Sequence, residues 1–408
     1  WELEFPEVFV DLKHAKWLEN PGFDAVVGNP PYIRIQEINE SAPKDPDYFK
    51  QIYESAYGVY DIYLLFVEKG LDLLHDSGLF GYILPNKFFQ LDFGTGIRDL
   101  FTKKRPIKEI IDLNGNQIFE GQTTYTCLLI LEGSERENFN YVKFPISKRP
   151  KLDVPYWLFE KLPKPKAQLN FDNYTEEPWL LVSGDEKFLI DKLSQKSTPL
   201  NQLIERVIVG LQTSADHIYS LEKVKSEGDE IEVFSKSLDK KVRLETDLLK
   251  PLVSGKDVDR YKYLTTDELL IFPYQLTEDG AELIPQEQFE NKYPLIWSYL
   301  IENEEELRGR ESGKFDDEEW YRFGRSQNLN KHEIQKLCTA RLVEHLSFTA
   351  DYSGDFYLDN VDVNGVLLNE SNDYSPSYLM AILNSKLLDW RFKKGSVPFR
   401  GGYFSANK

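Results

Sequence analysis

The 408 residues carry a net charge of −19, with 49 Lys and Arg against 68 Asp and Glu, and 41% of them are hydrophobic, enough for two or three packed domains. No apolar run approaches the ~18 residues that a membrane-spanning helix needs, and no signal-peptide pattern opens the sequence. Cys127 and Cys338 lie far apart and the five histidines are scattered singly, which argues against a disulfide framework or a metal site and for a reducing cytoplasm.

In chain order, Asp24–Gly28 is a short apolar run that reads as a parallel strand buried on both faces. From Val59 to Leu74, the residues Val59, Ile62, Tyr63, Phe66, Val67, Leu71 and Leu74 recur at helical spacing, and Ser77-Gly78 supplies a stop. Strands are predicted over Leu79–Leu84, Glu109–Leu113 and Tyr125–Leu131, with a helix at Gly96–Lys104 between the first two. This order predicts an α/β domain over residues 1–132 with a largely parallel sheet. Prolines and charges over 133–178 suggest a connector. Residues 179–408 mix short strands, turns and a few helices, the clearest running from the Ser375-Pro376 cap through Leu387 to Trp390.

Charge is unevenly spread. Residues 143–166 hold seven Lys or Arg against two acids, and 385–408 hold six against one, each a net +5. A local basic groove on an acidic protein is one reading of these runs, and solvated surface charge is the other.

The residues with the most chemical meaning are Asn29-Pro30-Pro31-Tyr32, directly after the first strand. Ligands of open α/β sheets bind at the carboxyl ends of strands. An exocyclic amine conjugated to a ring is a poor nucleophile, because its lone pair is delocalised. The amide oxygen of Asn29 and the carbonyl of Pro30 can each accept one of the amine's hydrogens, which frees the lone pair for attack on a sulfonium methyl. Consecutive prolines stiffen the loop, and Tyr32 offers a flat face for stacking. A capped Pro-Pro turn with a core tyrosine is the plain alternative.

This stretch resembles motif IV of amino-methyltransferases. Residues 1–131 resemble the later half of the gamma-class adenine-N6 DNA methyltransferases, above all the TaqI-like and type IIG restriction–modification enzymes. Phe23–Gly28 is similar to the usual lead-in, and the helix with Tyr63, Phe66 and Val67 is similar to motif V. Gly78–Asn86 resembles motif VI, and Ile118–Gln122 resembles motif VIII. The resemblance implies a partial Rossmann-like class I methyltransferase domain that uses S-adenosylmethionine and no metal. It implies Asn29, Pro30, Pro31 and Tyr32 as catalytic residues, and Phe66 with Asn29 toward the cofactor. The flipped-out adenine would lie between Tyr32 and Phe119, with Tyr125 as the alternative second face. The cofactor's glycine-rich loop should lie upstream of this motif. The chain opens at Trp1 and its one methionine is Met380, so it reads as an excerpt, expected to be inactive alone. A nuclease domain would also lie upstream, and no PD-(D/E)xK pattern is found within the sequence.

Residues 179–408 resemble a mixed α+β target-recognition domain of the TaqI-like specificity type. The resembling segments are Val209–Asp216, Leu249–Val258, Phe323–Leu329 and Pro398–Tyr403. They mix Arg, Lys, Gln and Asn, which can pair with base edges, with glycines that admit a phosphate. Gln122, Lys256, Arg260, Arg325, Gln327 and Arg400 are the candidate contacts to double-stranded DNA. Two further readings stand beside site-specific adenine methylation. One is a DNA-recognition module without activity of its own; the other is a protein or RNA amine methyltransferase, because the same four-residue motif serves enzymes that methylate glutamine.

Overall fold

A computed structural model describes residues 1, 3–114, 116, 118, 125–144, 167–182, 184–277, 280–360, 362–369, 373–396 and 402–406. The chain divides into two compact units, Trp1–Lys196 with Lys393–Gly402, and Ser197–Phe392 with Tyr403–Lys408.

In the first unit the elements after a short amino-terminal hairpin are β1 (Phe23–Gly28), α1 (Ile35–Ser41), α2 (Asp45–Ile52), α3 (Tyr63–Asp72) and β2 (Leu74–Pro85). Then follow α4 (Thr95–Lys104), β3 (Ile107–Asp112), β4 (Thr126–Glu132), β5 (Asn138–Lys143), β6 (Ala167–Asn170) and α5 (Gly184–Lys196). The six strands form one sheet in the order β1-β2-β4-β3-β5-β6. β1 runs parallel to β2 and β3 parallel to β5, whereas β4 lies antiparallel between β2 and β3 and β6 antiparallel to β5. β1, β2, β3 and β5 therefore point the same way, and their carboxyl ends share one rim.

Three local readings are corrected. β1 is an edge strand rather than one buried on both faces: Ala25 and Val27 are exposed, Val27 at 83%. Helix α3 is shorter than its apolar periodicity. Its approach is committed to the loop after β1, because Ile35 N–H bonds to the Tyr60 carbonyl (3.1 Å) and Ile62 N–H to that of Ile33 (2.9 Å). At its other end Leu74 leaves the helix to pair with Phe23. Finally, β5 and β6 join the sheet within the proline- and charge-rich stretch that suggests a connector. The unit continues through Trp179, which is buried on Phe89, Phe101 and Phe139.

The second unit holds two larger sheets. One is built from β8 (Ser220–Glu227), β9 (Glu230–Ser235), β10 (Lys240–Glu245), β11 (Leu249–Val253), β12 (Glu268–Ile271) and β15 (Tyr357–Leu358), in the order β10-β9-β8-β12-β11-β15. The other holds β7 (Ile204–Val209), β13 (Lys336–Ala340), β14 (Phe348–Asp351) and β16 (Val363–Leu368), in the order β14-β13-β16-β7. An aromatic core of Phe272, Phe289, Trp297, Trp320, Tyr321, Phe323 and Tyr357 packs on the first sheet. The helix expected from Ser375 onward is in fact two, α6 (Pro376–Leu383) and α7 (Lys386–Gly395). Ser375 caps the first as its composition implies, its Oγ accepting from Tyr378 N–H at 3.2 Å. The break falls at Asn384. Its buried amide accepts from Phe348 N–H (2.7 Å) and donates to the Phe348 carbonyl (2.8 Å), and the Ser385 hydroxyl then caps α7 by accepting from Leu388 N–H.

This unit carries a pH-sensitive histidine. His332 is buried, stacks on Tyr357 at 5.3 Å, and accepts from Leu358 N–H at Nδ1. Burial, with the Lys336 ammonium nearby, pushes its pKa down to about 3. The unfolded chain takes up a proton below about pH 6.5, whereas the folded one stays neutral there. The stabilising contribution is therefore complete above pH 6.5 and is lost as pH falls toward 3, at up to about 1.4 kcal/mol per pH unit. Denaturant melts from pH 7 to pH 4 should show a shallower decline for His332→Gln than for the parent. Equal slopes would reject this assignment.

Candidate functional site

The loop Asn29–Arg34 leaves the carboxyl end of β1, beside the end of β2 at Pro85. Tyr32 turns inward, half-buried, with its ring edge-on to Tyr63 at 5.9 Å. Its hydroxyl lies 2.7 Å from Asn29 Oδ1 and 3.0 Å from the Ile83 carbonyl oxygen. One phenolic proton thus serves two acceptors. Burial raises the Tyr32 pKa to about 12, so the group stays a neutral donor at physiological pH. Tyr32, Arg34, Asp61, Pro85, Lys87 and Phe93 line a cavity of about 390 Å³ beside the motif.

Helix α3 is locked to the preceding turn by Glu68. Its buried carboxylate accepts from Glu54 N–H (2.9 Å) and Ser55 N–H (2.8 Å). Phe66 projects from the same helix at 42% exposure and lines a 220 Å³ cavity with Phe49, Tyr53, Ile62, Leu65 and Lys69. An aromatic face left open beside an apolar hollow suits a flat heteroaromatic ring. Phe119 and Gln122 lie outside the described residues. Tyr125, the alternative stacking face, is buried at the start of β4, its carbonyl accepting from Asn86 N–H at 3.1 Å.

In the second unit several of the segments singled out in the sequence come together. Gly324 and Arg325 donate their backbone N–H groups to the carbonyls of Thr213 and Gln212, both at 3.1 Å. Gly210 has no room for a side chain, since a Cβ there would stand 2.2 Å from the Asp359 backbone. Lys256 is largely exposed, pairs with Glu268 at 2.7 Å, and lines a 390 Å³ cavity with Leu211, Thr213, Asp216 and Ser254. Arg325 meets Glu311 at 3.1 Å, and Gln327 is exposed. Arg260 is engaged internally, its guanidinium donating twice to the Leu346 carbonyl at 2.8 and 2.6 Å with Asp389 at 3.4 Å. Arg400 lies outside the described residues. Among those described, no group of three or more His, Cys, Asp or Glu side chains is placed to hold a metal ion, and no helix is long and apolar enough to cross a membrane.

Comparison with known proteins finds two separate segments that match family models. Residues 1–119 match the Eco57I restriction-modification methylase family, and residues 250–406 match the TaqI-like C-terminal specificity domain. The front of the chain is thus similar to the methylase regions of such enzymes, and its later part to their specificity domains. It is 29% identical to the type II restriction enzyme and methyltransferase RM.Eco57I of Escherichia coli, over 95% of this chain and 39% of that protein. It is also 28% identical to the type II methyltransferase M.PaeR7I of Pseudomonas aeruginosa, over 93% of this chain and 62% of the relative. The chain thus spans between about two fifths and three fifths of these relatives. The fold is shared with the type IIL restriction-modification enzyme MmeI, solved in complex with DNA, at a TM-score of 0.54 and 11% identity, over 93% of this chain and 44% of that one.

Within the methylase region, sequence reasoning passed over Arg34, Asp61 and Lys87. Arg34 stands two residues beyond the motif, and Lys87 two residues beyond Pro85 at the end of β2. The signal available was topological. Two parallel neighbouring strands must bring the residues just past their carboxyl ends to one place.

Proposed function

We propose that the protein containing this chain transfers a methyl group from S-adenosylmethionine to N6 of an adenine in double-stranded DNA, as the modification activity of a restriction–modification system. The observation that carries this reading is the Asn29–Tyr32 loop at the carboxyl end of β1, on a chain that also holds a specificity domain. S-adenosylmethionine, when bound, supplies an electrophilic methyl on a sulfonium. Phe66 would hold its adenine ring, and Asn29 lies at the substrate end of the site. The target amine is unreachable inside a duplex, so the base would be flipped out, against Tyr32 on one face and Phe119 on the other.

The work of this chain is to orient the amine. Asn29 Oδ1 and the Pro30 carbonyl accept its two hydrogens, which turns the nitrogen lone pair out of conjugation. The shared proton on Tyr32 suits this role. When it is given to the Ile83 carbonyl, Asn29 Oδ1 recovers a lone pair for the substrate. Being held neutral, Tyr32 acts as a donor and a surface and not as a base. Lys256, Arg325, Gln327 and Arg400, from the segment that matches the specificity domain, and Gln122 remain the candidate DNA contacts. Arg260 acts first as a brace for the Leu346 backbone.

The test uses the full-length protein, S-adenosylmethionine labelled in its methyl group, and unmethylated plasmid DNA, with protein and RNA as parallel substrates. After digestion the label should be found in N6-methyladenosine from DNA, and mapping it should return one short recurring sequence. Label in protein or RNA alone, or in another base, would reject the reading.

A further inference from the structure

The carboxyl ends of β1, β2, β3 and β5 share one rim of the sheet, and that rim is hollowed twice. The first cavity is the one beside the motif, lined in part by Arg34 and Lys87. The second, about 280 Å³, is lined by Asn86, Lys87, Asp112, Asn114, Tyr141 and Lys143, among others. Lys87 borders both. Arg34 thus follows β1, Lys87 follows β2, and Lys143 ends β5.

The acids around the second cavity are already matched. Asp112 accepts from Asn86 Nδ2 (2.9 Å), Asn114 N–H (2.8 Å) and the Tyr141 hydroxyl (3.1 Å), and Glu186 is ion-paired with Lys394. The three cations are not: among the described residues, none of Arg34, Lys87 and Lys143 forms an ion pair within 4.0 Å. Asp61 in the first cavity feels the attraction of Arg34 and Lys87, yet burial outweighs it and raises its pKa. Glu37 also lines the first cavity, yet neither it nor Asp61 is ion-paired with a cation among the described residues. In a chain of net charge −19, three cations left without a paired carboxylate along one rim conserve part of their attraction for an outside anion.

We infer that Arg34, Lys87 and Lys143 form a track for the DNA phosphodiester backbone, holding phosphates of the strand that carries the target base as it passes the Asn29–Tyr32 loop. Neighbouring strands lie about 5 Å apart, so Arg34 and Lys87 stand at adjacent strand ends, and β5 lies three strand positions, about 14 Å, beyond β2. A few consecutive nucleotides cover that span. Their role is to fix the register of the strand without reading its sequence, which suits cations on a catalytic rim rather than on the specificity domain. The inference rests on the DNA-methylation reading above.

The test is the salt dependence of binding by the full-length protein to a 30-base-pair duplex carrying the mapped methylation site, for the parent, Arg34→Gln, Lys87→Gln, Lys143→Gln and the triple variant. Each phosphate contact removed should lower the slope of log K against log salt concentration by about 0.9, and the triple variant should lose about 2.7. Thermal melting monitors folding. If the parent binds and methylates the duplex while the triple variant keeps the parental slope, the track is wrong and the methylation reading stands. If Arg34→Gln and Lys87→Gln lower the melting temperature with slopes unchanged, these cations serve Asp61 alone and the track is again overturned. If the parent neither binds nor methylates DNA, the underlying reading fails first.

Discussion

Asn29→Ala in the full-length protein is expected to cut methyl transfer to DNA by on the order of 10³-fold while leaving duplex affinity within a few-fold of the parent. The magnitude follows from the loss of a fixed hydrogen-bond partner of the reacting group, an effect of about 10²–10³ in comparable polar sites. Binding should survive because the expected DNA contacts lie elsewhere. Tyr32→Phe separates the two parts of the loop. It keeps the ring and removes the proton shared by Asn29 Oδ1 and the Ile83 carbonyl, so a loss of about tenfold or less is expected, in line with one ordinary hydrogen bond. Single-turnover transfer and equilibrium binding on the same duplex decide the matter. Near-parental transfer by Asn29→Ala would remove Asn29 from the mechanism.

The largest expected change in stability lies in the second unit. Lys336 Nζ and Asp351 Oδ2 are 2.6 Å apart with both side chains fully buried. The ammonium also donates to the carbonyls of His332 (2.5 Å) and Ile334 (3.3 Å). The carboxylate accepts from the N–H groups of Gly354 (2.8 Å) and Phe356 (3.2 Å). Asp351→Ala strands a charge in the interior and releases those backbone groups, at a cost of about 3–5 kcal/mol. Set against a typical domain stability of about 5–15 kcal/mol, this is a large share. Removing both charges together, as Lys336→Met with Asp351→Leu, should recover most of the loss, since no ion is then left unpaired. Denaturant midpoints of the three proteins test both statements. A single variant within about 1 kcal/mol of the parent would mean that water reaches the site.

Local features were legible in the sequence, and partnerships were not. Asn29–Tyr32 stood out because its residue types serve one chemistry, and the apolar run before it placed it at a strand end. The periodicity of α3 and the Ser375 cap were equally local. An apolar run does not say what covers its strand, so β1 read as buried on both faces although Ala25 and Val27 are exposed. β5 and β6 are separated by more than twenty residues and join the sheet through pairings that no local pattern reports. The break at Asn384 depends on Phe348, thirty-six positions away. Arg260 looked available to DNA as a sequence letter, yet its guanidinium is taken by the Leu346 carbonyl. Arg34 and Lys87 were two isolated charges until parallel pairing made them neighbours.

The position of β1 has a consequence of its own. A sheet edge displays a ladder of N–H and C=O groups with nothing to answer them, and proteins commonly blunt such edges with charge, proline or a covering segment. Along Phe23–Gly28 the side-chain guard is thin: Asp24 is the one charged residue, and Val27 stands almost fully in solvent. Among the described residues, the strand that delivers the Asn29–Tyr32 loop is therefore a sheet edge with little side-chain protection. A partner strand laid along that edge would bear on the turn into Asn29, because the same six residues end where the Asn29–Tyr32 loop begins.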